Sequence, residues 1–484
     1  MRRLSEIMGA ALAQDVDIVG LTADSRAVAP GFLFAALVGT KADGRIFVPA
    51  AIANGAAAIL APEGSNLDLP PGIVLISDSN PRRRFALMAA AFHRTQPETM
   101  VAVTGTNGKT STAMFYGQIM DALGNRACAM GTMGIMAKGW DNTGGLTTPD
   151  PVALHESLAR LAEFGITHGC MEASSHGLDQ HRLDGVRLKA AAFTNLTRDH
   201  LDYHQDMESY AKAKLRLFTE VLTRGGIAII NMDADPSQSF AKAAAEHGLT
   251  VMGYGKAAHD IRLIASTAQP FGQELRLEIM GRPFTVKLPL VGLFQAYNAL
   301  AALGLALASD TDLDKAVAAL ENLTPVPGRM QKAAERANGA AIYVDYAHTP
   351  DALETVLKAL KPHAVRRLVA VFGCGGERDQ GKRPLMGKVA CTLADAMIVT
   401  DDNPRSEDPA LIRDSVRSAC CGAIEIADRR EAIRTAVMGL QTGDILLIAG
   451  KGHETGQIIG GEVLPFNDVE EARSAVLAAD GGLS

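Results

Sequence analysis

From residue 98 onward, short β-branched apolar runs alternate with longer stretches in which apolar side chains return at helical spacing. The run Thr99–Thr104 reads as a buried strand. After a glycine-containing turn, Met114, Phe115, Ile119, Met120 and Leu123 recur at a helical period, and Gly124 stands where a C-cap would. The rhythm continues with a helix over 151–164, a strand over 168–172, a helix over 207–221 and a strand over 226–231. This predicts a mostly parallel sheet covered by helices. Past Leu263 the period shortens to alternation, over 274–280 and 284–288, predicting a small antiparallel insertion or edge.

Helical spacing returns over 294–308 and 312–320, and the cluster Pro325, Val326, Pro327, Gly328 predicts a linker. Beyond it, strands at 341–344, 368–372, 396–400, 424–426 and 445–448 alternate with helices, giving a second open α/β domain. The residues before 98 form a third, smaller unit. The expected division is therefore 1–97, 98–329 and 330–484, and 484 residues at roughly 150 per domain agree with three units. There is no internal repeat or low-complexity tract.

Composition narrows the partners. Lys and Arg total 47 against 54 Asp and Glu, a net charge of −7, so nucleic acid and anionic membrane have no general attraction for the chain. An anionic ligand must be captured locally. Six cysteines with no CxxC pair predict reduced thiols and no cysteine-based metal site. No apolar run approaches the roughly 20 residues that span a bilayer. Glu6, Asp15 and Asp17 spoil the start as a secretory signal, so a cytoplasmic protein is expected. A monomer is a separate expectation.

The segment most informative for chemistry is Thr104, Gly105, Thr106, Asn107, Gly108, Lys109, Thr110, Ser111, between a predicted strand and a predicted helix. Glycines let backbone N–H groups turn onto phosphate oxygens, and the helix N-terminus adds partial positive charge. Lys109 can reach the terminal phosphates of ATP, and the Thr110 hydroxyl can ligate Mg²⁺. Val103 stands where the common phosphate loop has a further glycine. The alternative reading is an ordinary tight turn, which the strand-to-helix context disfavours.

One lysine does not balance a triphosphate. Glu172 ends an apolar strand, and Asp199 and His200 follow another. Ligands at strand C-termini of an α/β sheet converge on one crevice, so Glu172 and His200 are candidate Mg²⁺ ligands, the hard ion favouring the carboxylate. Four more clusters sit at strand ends of the last domain: Asp345 to Asp351, Phe372 to Asp379, Asp402 to Arg405, and Gly450 to Glu454. An N-cap explains Thr349 and Pro350 but leaves Asp345 and His348 unexplained. Four such clusters on one sheet edge make a site.

With these motifs in view, the chain resembles the Mur ligases of peptidoglycan synthesis nearly end to end, and among them the branch that adds 2,6-diaminopimelate. The resemblance rests on TGTNGKTS at 104–111, TTPD at 147–150, EASSHGLDQHR at 172–182 and FTNLTRDHLDYH at 193–204. It continues through DYAHTPDAL at 345–353, FGCGGERDQGKRPLMG at 372–387, DNPRSE at 402–407 and GKGHE at 450–454. The shortened phosphate loop is that family's own form.

The resemblance implies an α/β, three-domain architecture: a small N-terminal UDP-binding domain, a central ATPase-like parallel-sheet domain and a C-terminal Rossmann-like, amino-acid-binding domain. It implies an ATP-dependent amide ligase, ADP-forming, that joins meso-2,6-diaminopimelate to UDP-N-acetylmuramoyl-L-alanyl-D-glutamate through an acyl phosphate. Lys109, Glu172, His200 and Lys214 are then the catalytic group, with Thr110, Glu172, His200 and Lys214, the last as its carbamate, around Mg²⁺. On the residues alone Lys212 would serve as well as Lys214. Asn298, Arg329 and Asp345 fall where the family contacts adenosine or phosphate.

By the same resemblance, Ala23, Ser25, Thr40, Lys41 and Ala42 belong to uridine-diphosphate-binding segments, and Thr147, Thr148, Ser174, Gln180 and Arg182 hold the muramoyl-dipeptide. Read alone, the first two segments are plain turns. Asp402, Asn403, Pro404 and Arg405 choose the amino acid, with Arg378, Gly450 and Glu454 completing the pocket. Diaminopimelate carries one more carboxylate than lysine, and a guanidinium fork pairs with such a group. A lysine-adding relative is disfavoured by Arg405, a folylpolyglutamate synthase by the DNPR segment, and a nucleotide-regulated binder without catalysis by Lys109, Glu172, Lys214 and His200 together.

Overall fold

Four strands, Gly20–Thr22, Phe32–Ala35, Ala58–Pro62 and Val74–Asp78, pair in parallel and in chain order to build the first sheet. The computed structural model describes residues 1–39, 42–140, 147–269, 272–419 and 422–481. Thr40 and Lys41 of the expected uridine-diphosphate segment lie outside the described residues. The helix Pro81–His93, capped by the Asn80 side chain on Arg83 N with Pro81 at its first turn, buries Phe85 and Met88 against this sheet.

Among the described residues, the central sheet has ten strands. Thr99–Thr104 lies between His168–Glu172 and Ala190–Phe193, parallel to both. Ala127–Gly131 extends one side in parallel, and Ile227–Asn231 and Thr250–Gly255 extend the other. Both faces are covered, which is why these strands read as continuous apolar runs without alternation. One face packs Phe115 and Ile119 of the helix Lys109–Ala122 against Leu300 and Leu303 of Leu293–Leu307. The other packs Leu154 and Leu158 of Pro151–Glu163. Each fully buried Leu, Ile or Phe contributes about 1.5–3 kcal/mol relative to exposure.

The alternating segment past Leu263 is an edge, and it starts earlier than its pattern suggests. Ile261–Gln269 joins the parallel sheet, and Gly272–Ile279 and Arg282–Leu288 follow antiparallel, burying Leu275, Leu277, Ile279, Val286 and Leu288 on one face. The expected helix over 207–221 is regular only for Met207–Arg216. It continues as a wider π turn, Leu217–Val221, which keeps Leu217, Phe218 and Val221 buried.

The last sheet runs in the order Gln331–Glu335, Ala341–Asp345, Ile445–Ala449, Leu368–Phe372, Ala396–Val399, Ile424–Glu425. All pairs but the first are parallel. Asp345 stands opposite Ala449 and Val371 opposite Ile448, so the four polar clusters do emerge along one edge. The linker meets this edge at Gly328, whose φ is +66°. A Cβ there would lie 2.1 Å from His453 N and 2.4 Å from Gly452 C, so only glycine fits without displacement.

Candidate active site

Residues 105–108 turn from the end of Thr99–Thr104 into the helix Lys109–Ala122, and the neighbouring strand end clasps them. Thr106 N donates to Asn195 O at 2.9 Å, Asn107 N to Asn195 Oδ1 at 2.9 Å, and Thr194 Oγ1 to Asn107 O at 2.6 Å. Gly108 has φ +89°, and a Cβ would come within 2.3 Å of Asn298 Oδ1. The glycine spacing therefore lets Asn298, from the helix Leu293–Leu307, reach the loop. Above it opens a cavity of about 720 Å³, lined by Lys109, Thr110, Glu172, His200, Lys214, Asn298, Arg329 and Asp345 among others. The loop, the first helical turn and the scattered candidates thus share one space.

Glu172 is 2% exposed and accepts from Thr110 Oγ1 at 2.9 Å, Thr132 N at 3.0 Å and Thr132 Oγ1 at 3.2 Å. A buried carboxylate and a hydroxyl already in contact form an oxygen pair that suits a hard cation. Among the described residues, no three His, Cys, Asp or Glu side chains are grouped to hold a metal ion. Phosphate oxygens and a carbamate would have to complete the shell.

Lys109 curls back on its own loop, donating to Gly105 O and Thr106 O at 2.9 Å each. Lys214, 1% exposed, donates to the same Gly105 O at 2.8 Å and lies over the Tyr210 ring at 4.3 Å. Burial, and then the Lys109 charge, hold the Lys214 amine well below the ordinary lysine range. Lys212, its rival in the sequence, does not line the cavity.

His200 sits in the left-handed region at φ +54°, as do Arg405 at +53° and Glu377 at +54°. Such backbone costs about 1 kcal/mol or more, and it clusters at functional sites. Burial depresses the His200 imidazole to about 4, against the adjacent Asp199 carboxylate. A neutral ring is the form that can act as a ligand.

The last sheet contributes the opposite wall. Arg329 Nη2 donates to Thr110 Oγ1 at 3.3 Å, and its guanidinium lies 4.1 Å from the Tyr346 ring centroid. Both oxygens of Asp345 are taken by backbone, Met330 N at 2.6 Å and Ala347 N at 2.7 Å, so this carboxylate pins the linker to the strand end. Asp351 accepts from Asn107 Nδ2 at 3.1 Å and Thr197 Oγ1 at 3.2 Å, joining the phosphate-loop unit to the first turn of Pro350–Leu360. Arg198 and Asp379 add a half-exposed ion pair at 3.2 Å, worth about 0–1 kcal/mol.

Arg378, Asp402, Asn403, Pro404, Arg405, Gly450 and Glu454 do not line this cavity. Burial, helped by the Glu454, Asp402 and Asp199 carboxylates and opposed by Arg329, pushes the Tyr346 phenol up to about 12. Arg405 Nη1 donates to Gly376 O at 2.7 Å, and Arg378 is exposed. Glu454 Oε2 already accepts from Lys451 Nζ at 2.8 Å and Asn403 Nδ2 at 2.9 Å.

Of the expected dipeptide group, Thr147 and Ser174 line the cavity. Thr148 Oγ1 and Ser174 Oγ lie 3.0 Å apart, Arg182 Nη1 donates to Thr148 O at 2.7 Å, and Arg182 Nη2 donates to Gln180 Oε1 at 2.7 Å. Thr148, Ser174, Gln180 and Arg182 form one network, while Thr147 Oγ1 lies 3.0 Å from Thr132 Oγ1. Ala23, Ser25 and Ala42 are on the first unit and do not reach the cavity. Sequence reasoning overlooked Tyr346, Asp351 and Lys451. All three stand inside motifs that had been singled out, and only the folded neighbourhood separates them from surface turns.

Sequence models described as the Mur ligase family catalytic domain, the Mur ligase middle domain and the Mur ligase glutamate ligase domain match residues 17–122, 103–306 and 328–452. The chain is 51% identical over 485 residues to the UDP-N-acetylmuramoyl-L-alanyl-D-glutamate–2,6-diaminopimelate ligase of Caulobacter vibrioides, covering 99% of each. It is 50% identical to the ligase of that name from Bradyrhizobium diazoefficiens, covering 96% of each. A solved structure of a ligase with the same name is similar with a TM-score of 0.73 at 36% identity, covering 99% of both chains. A Mycobacterium tuberculosis folylpolyglutamate synthase with ADP reaches 0.65 at 18% identity over 82% of this chain, a likeness of fold alone.

Proposed function

The chain belongs to the Mur ligase family, and we propose that it joins meso-2,6-diaminopimelate to UDP-N-acetylmuramoyl-L-alanyl-D-glutamate, converting ATP to ADP and phosphate in peptidoglycan precursor synthesis. The division at 97/98 and 329/330 gives each substrate its own unit. A nucleotide-linked precursor places the reaction in the cytoplasm. No helix among the described residues is long and apolar enough to cross a membrane. The protein acts as a monomer.

The triphosphate lies on residues 105–111, with Lys109 exchanging its loop carbonyls for phosphate oxygens. The base extends toward Leu293, Phe294, Tyr297 and Val356, large apolar or aromatic side chains of the cavity lining. The substrate's D-glutamyl carboxylate, oriented by Thr147, Thr148, Ser174, Gln180 and Arg182, attacks the γ-phosphorus and gives an acyl phosphate and ADP. Arg329 and Lys109 offset the charge that develops. Asn298 supports the loop at Gly108.

Glu172, Thr110, His200 and a Lys214 carbamate would hold Mg²⁺, which supplies charge neutralisation on the transferring phosphoryl group. The neutral Lys214 amine is the form that takes up CO₂. Asp402, Asn403, Arg405, Arg378, Gly450 and Glu454 hold the amino acid. Its free amine displaces phosphate through a tetrahedral intermediate. Ala23, Ser25, Thr40, Lys41 and Ala42 anchor the uridine diphosphate.

The observation that carries this reading is Tyr346. Tyr346 lines the cavity with Lys109, and the Glu454 and Asp402 carboxylates are near enough for their charges to act on its phenol. Phosphoryl donor and amine pocket thus share one wall. Phosphate release should require ATP, Mg²⁺, the UDP-muramoyl-dipeptide and diaminopimelate together. Equal turnover when L-lysine replaces diaminopimelate overturns the amino-acid assignment.

A further inference from the structure

Lys451 follows the strand Ile445–Ala449, and its side chain is 0% exposed. Its ammonium donates to Asn403 Oδ1 at 2.9 Å and to Glu454 Oε2 at 2.8 Å. Asn403 closes the triangle through its own bond to Glu454 Oε2 at 2.9 Å, and its Oδ1 also accepts from Ile458 N at 2.9 Å. Ile458 belongs to the hairpin Gly456–Ile459 and Glu462–Pro465. That hairpin holds the backbone of Arg405, through Arg405 N to Ile458 O at 3.1 Å and Gly460 N to Arg405 O at 2.7 Å. One buried ammonium therefore orders Asn403, Glu454 and, through the hairpin, Arg405.

It also sets the local charge. Buried Arg429 pairs with Asp468, both 0% exposed, and its charge also reaches the Asp402 and Glu454 carboxylates. Buried Arg383 pairs with Glu407. Lys451 is the cation bonded to Glu454 itself, and Arg378 is exposed.

We propose that Lys451 is a specificity-determining residue, its ammonium tuning the pocket to an amino acid of zero net charge over a cationic one. The inference rests on reading Asp402 to Arg405 and Glu454 as the amino-acid pocket. Diaminopimelate carries two ammonium groups and two carboxylates. Lysine carries two ammonium groups and one carboxylate. Removing one positive charge from the wall favours the substrate that is more positive by one unit, whatever the absolute balance. A role confined to folding lowers both substrates alike, whereas a charge role moves their ratio.

The test uses the full chain with Lys451→Met, Lys451→Arg and Glu454→Gln, measuring kcat/KM for diaminopimelate and for L-lysine. KM for ATP and the melting midpoint are recorded in parallel. In Lys451→Met the lysine-to-diaminopimelate ratio should rise about tenfold or more, while Lys451→Arg keeps it within about threefold of the unaltered protein. Glu454→Gln shifts the charge the other way and should lower the ratio. It decides the matter alone if Lys451→Met does not fold. An unmoved ratio in Lys451→Met, with both substrates unchanged or falling in proportion, overturns the role of Lys451 while leaving the pocket assignment standing, as does an unmoved ratio in Glu454→Gln where Lys451→Met does not fold. Absence of diaminopimelate turnover in the unaltered protein overturns the pocket assignment itself.

Discussion

The side-chain nitrogens of Lys109 and Lys214 both donate to one backbone oxygen, Gly105 O, at 2.9 and 2.8 Å. Burial, and then the Lys109 charge beside it, hold the Lys214 amine well below its usual range. The shared carbonyl thus keeps Lys214 poised as a neutral amine next to the loop.

Lys214→Ala should lower kcat by about 10²-fold or more, the scale of losing one electrostatic group at a phosphoryl-transfer site. Acetate or propionate in the assay should restore part of that activity by supplying a carboxylate in the vacated space. Unaltered protein freed of CO₂ should lose activity and regain it with bicarbonate. Full activity in Lys214→Ala defeats the carbamate reading.

Arg405→Ala should reduce kcat/KM for diaminopimelate by about 10²- to 10⁴-fold, because a site built for a polar partner discriminates strongly against its loss. KM for ATP should stay within about twofold, since Arg405 does not line the nucleotide cavity. A large change in ATP affinity counts against the assigned role.

Stability should depend on pH through His155, which is 3% exposed and depressed to about 4 by burial, partly offset by its contact with Asp184 O. Its folded value lies below the unfolded value of about 6.5. The contribution is therefore present above 6.5 and is lost as pH falls toward 4, by about 3 kcal/mol at most. Urea midpoints for His155→Gln should vary less between pH 6.5 and 4.5 than those of the parent.

Gly328→Ala places a methyl group 2.1 Å from His453 N in left-handed backbone. A loss of at least about 2 kcal/mol is expected, combining backbone strain and the forced shift of 452–453. Denaturation midpoints measure it, and an unchanged midpoint shows that the linker relaxes freely.

The central sheet was legible because buried parallel strands leave unbroken apolar runs and its loops carry recognisable residue strings. Glu172 and Lys109 were therefore placed together from sequence. Lys214 could be told from Lys212 only by alignment with a family, since both sit on one helix and burial is decided by its neighbours. Tyr346 and Lys451 escaped for a related reason. An aromatic beside a strand end and a lysine in a glycine turn look solvated until two strands bring Asp402, Asn403 and Glu454 against them. The π turn Leu217–Val221 left no sequence mark, because one extra residue there preserves the apolar pattern.

Asn107 and Thr197 bond Asp351, so the loop expected to grip phosphate also grips the first turn of the neighbouring helix Pro350–Leu360. A nucleotide filling the space touches both units at once. Were spent ADP to leave only after these two bonds part, the lifetime of that latch would cap turnover, and no improvement in the bond-forming chemistry would lift the cap.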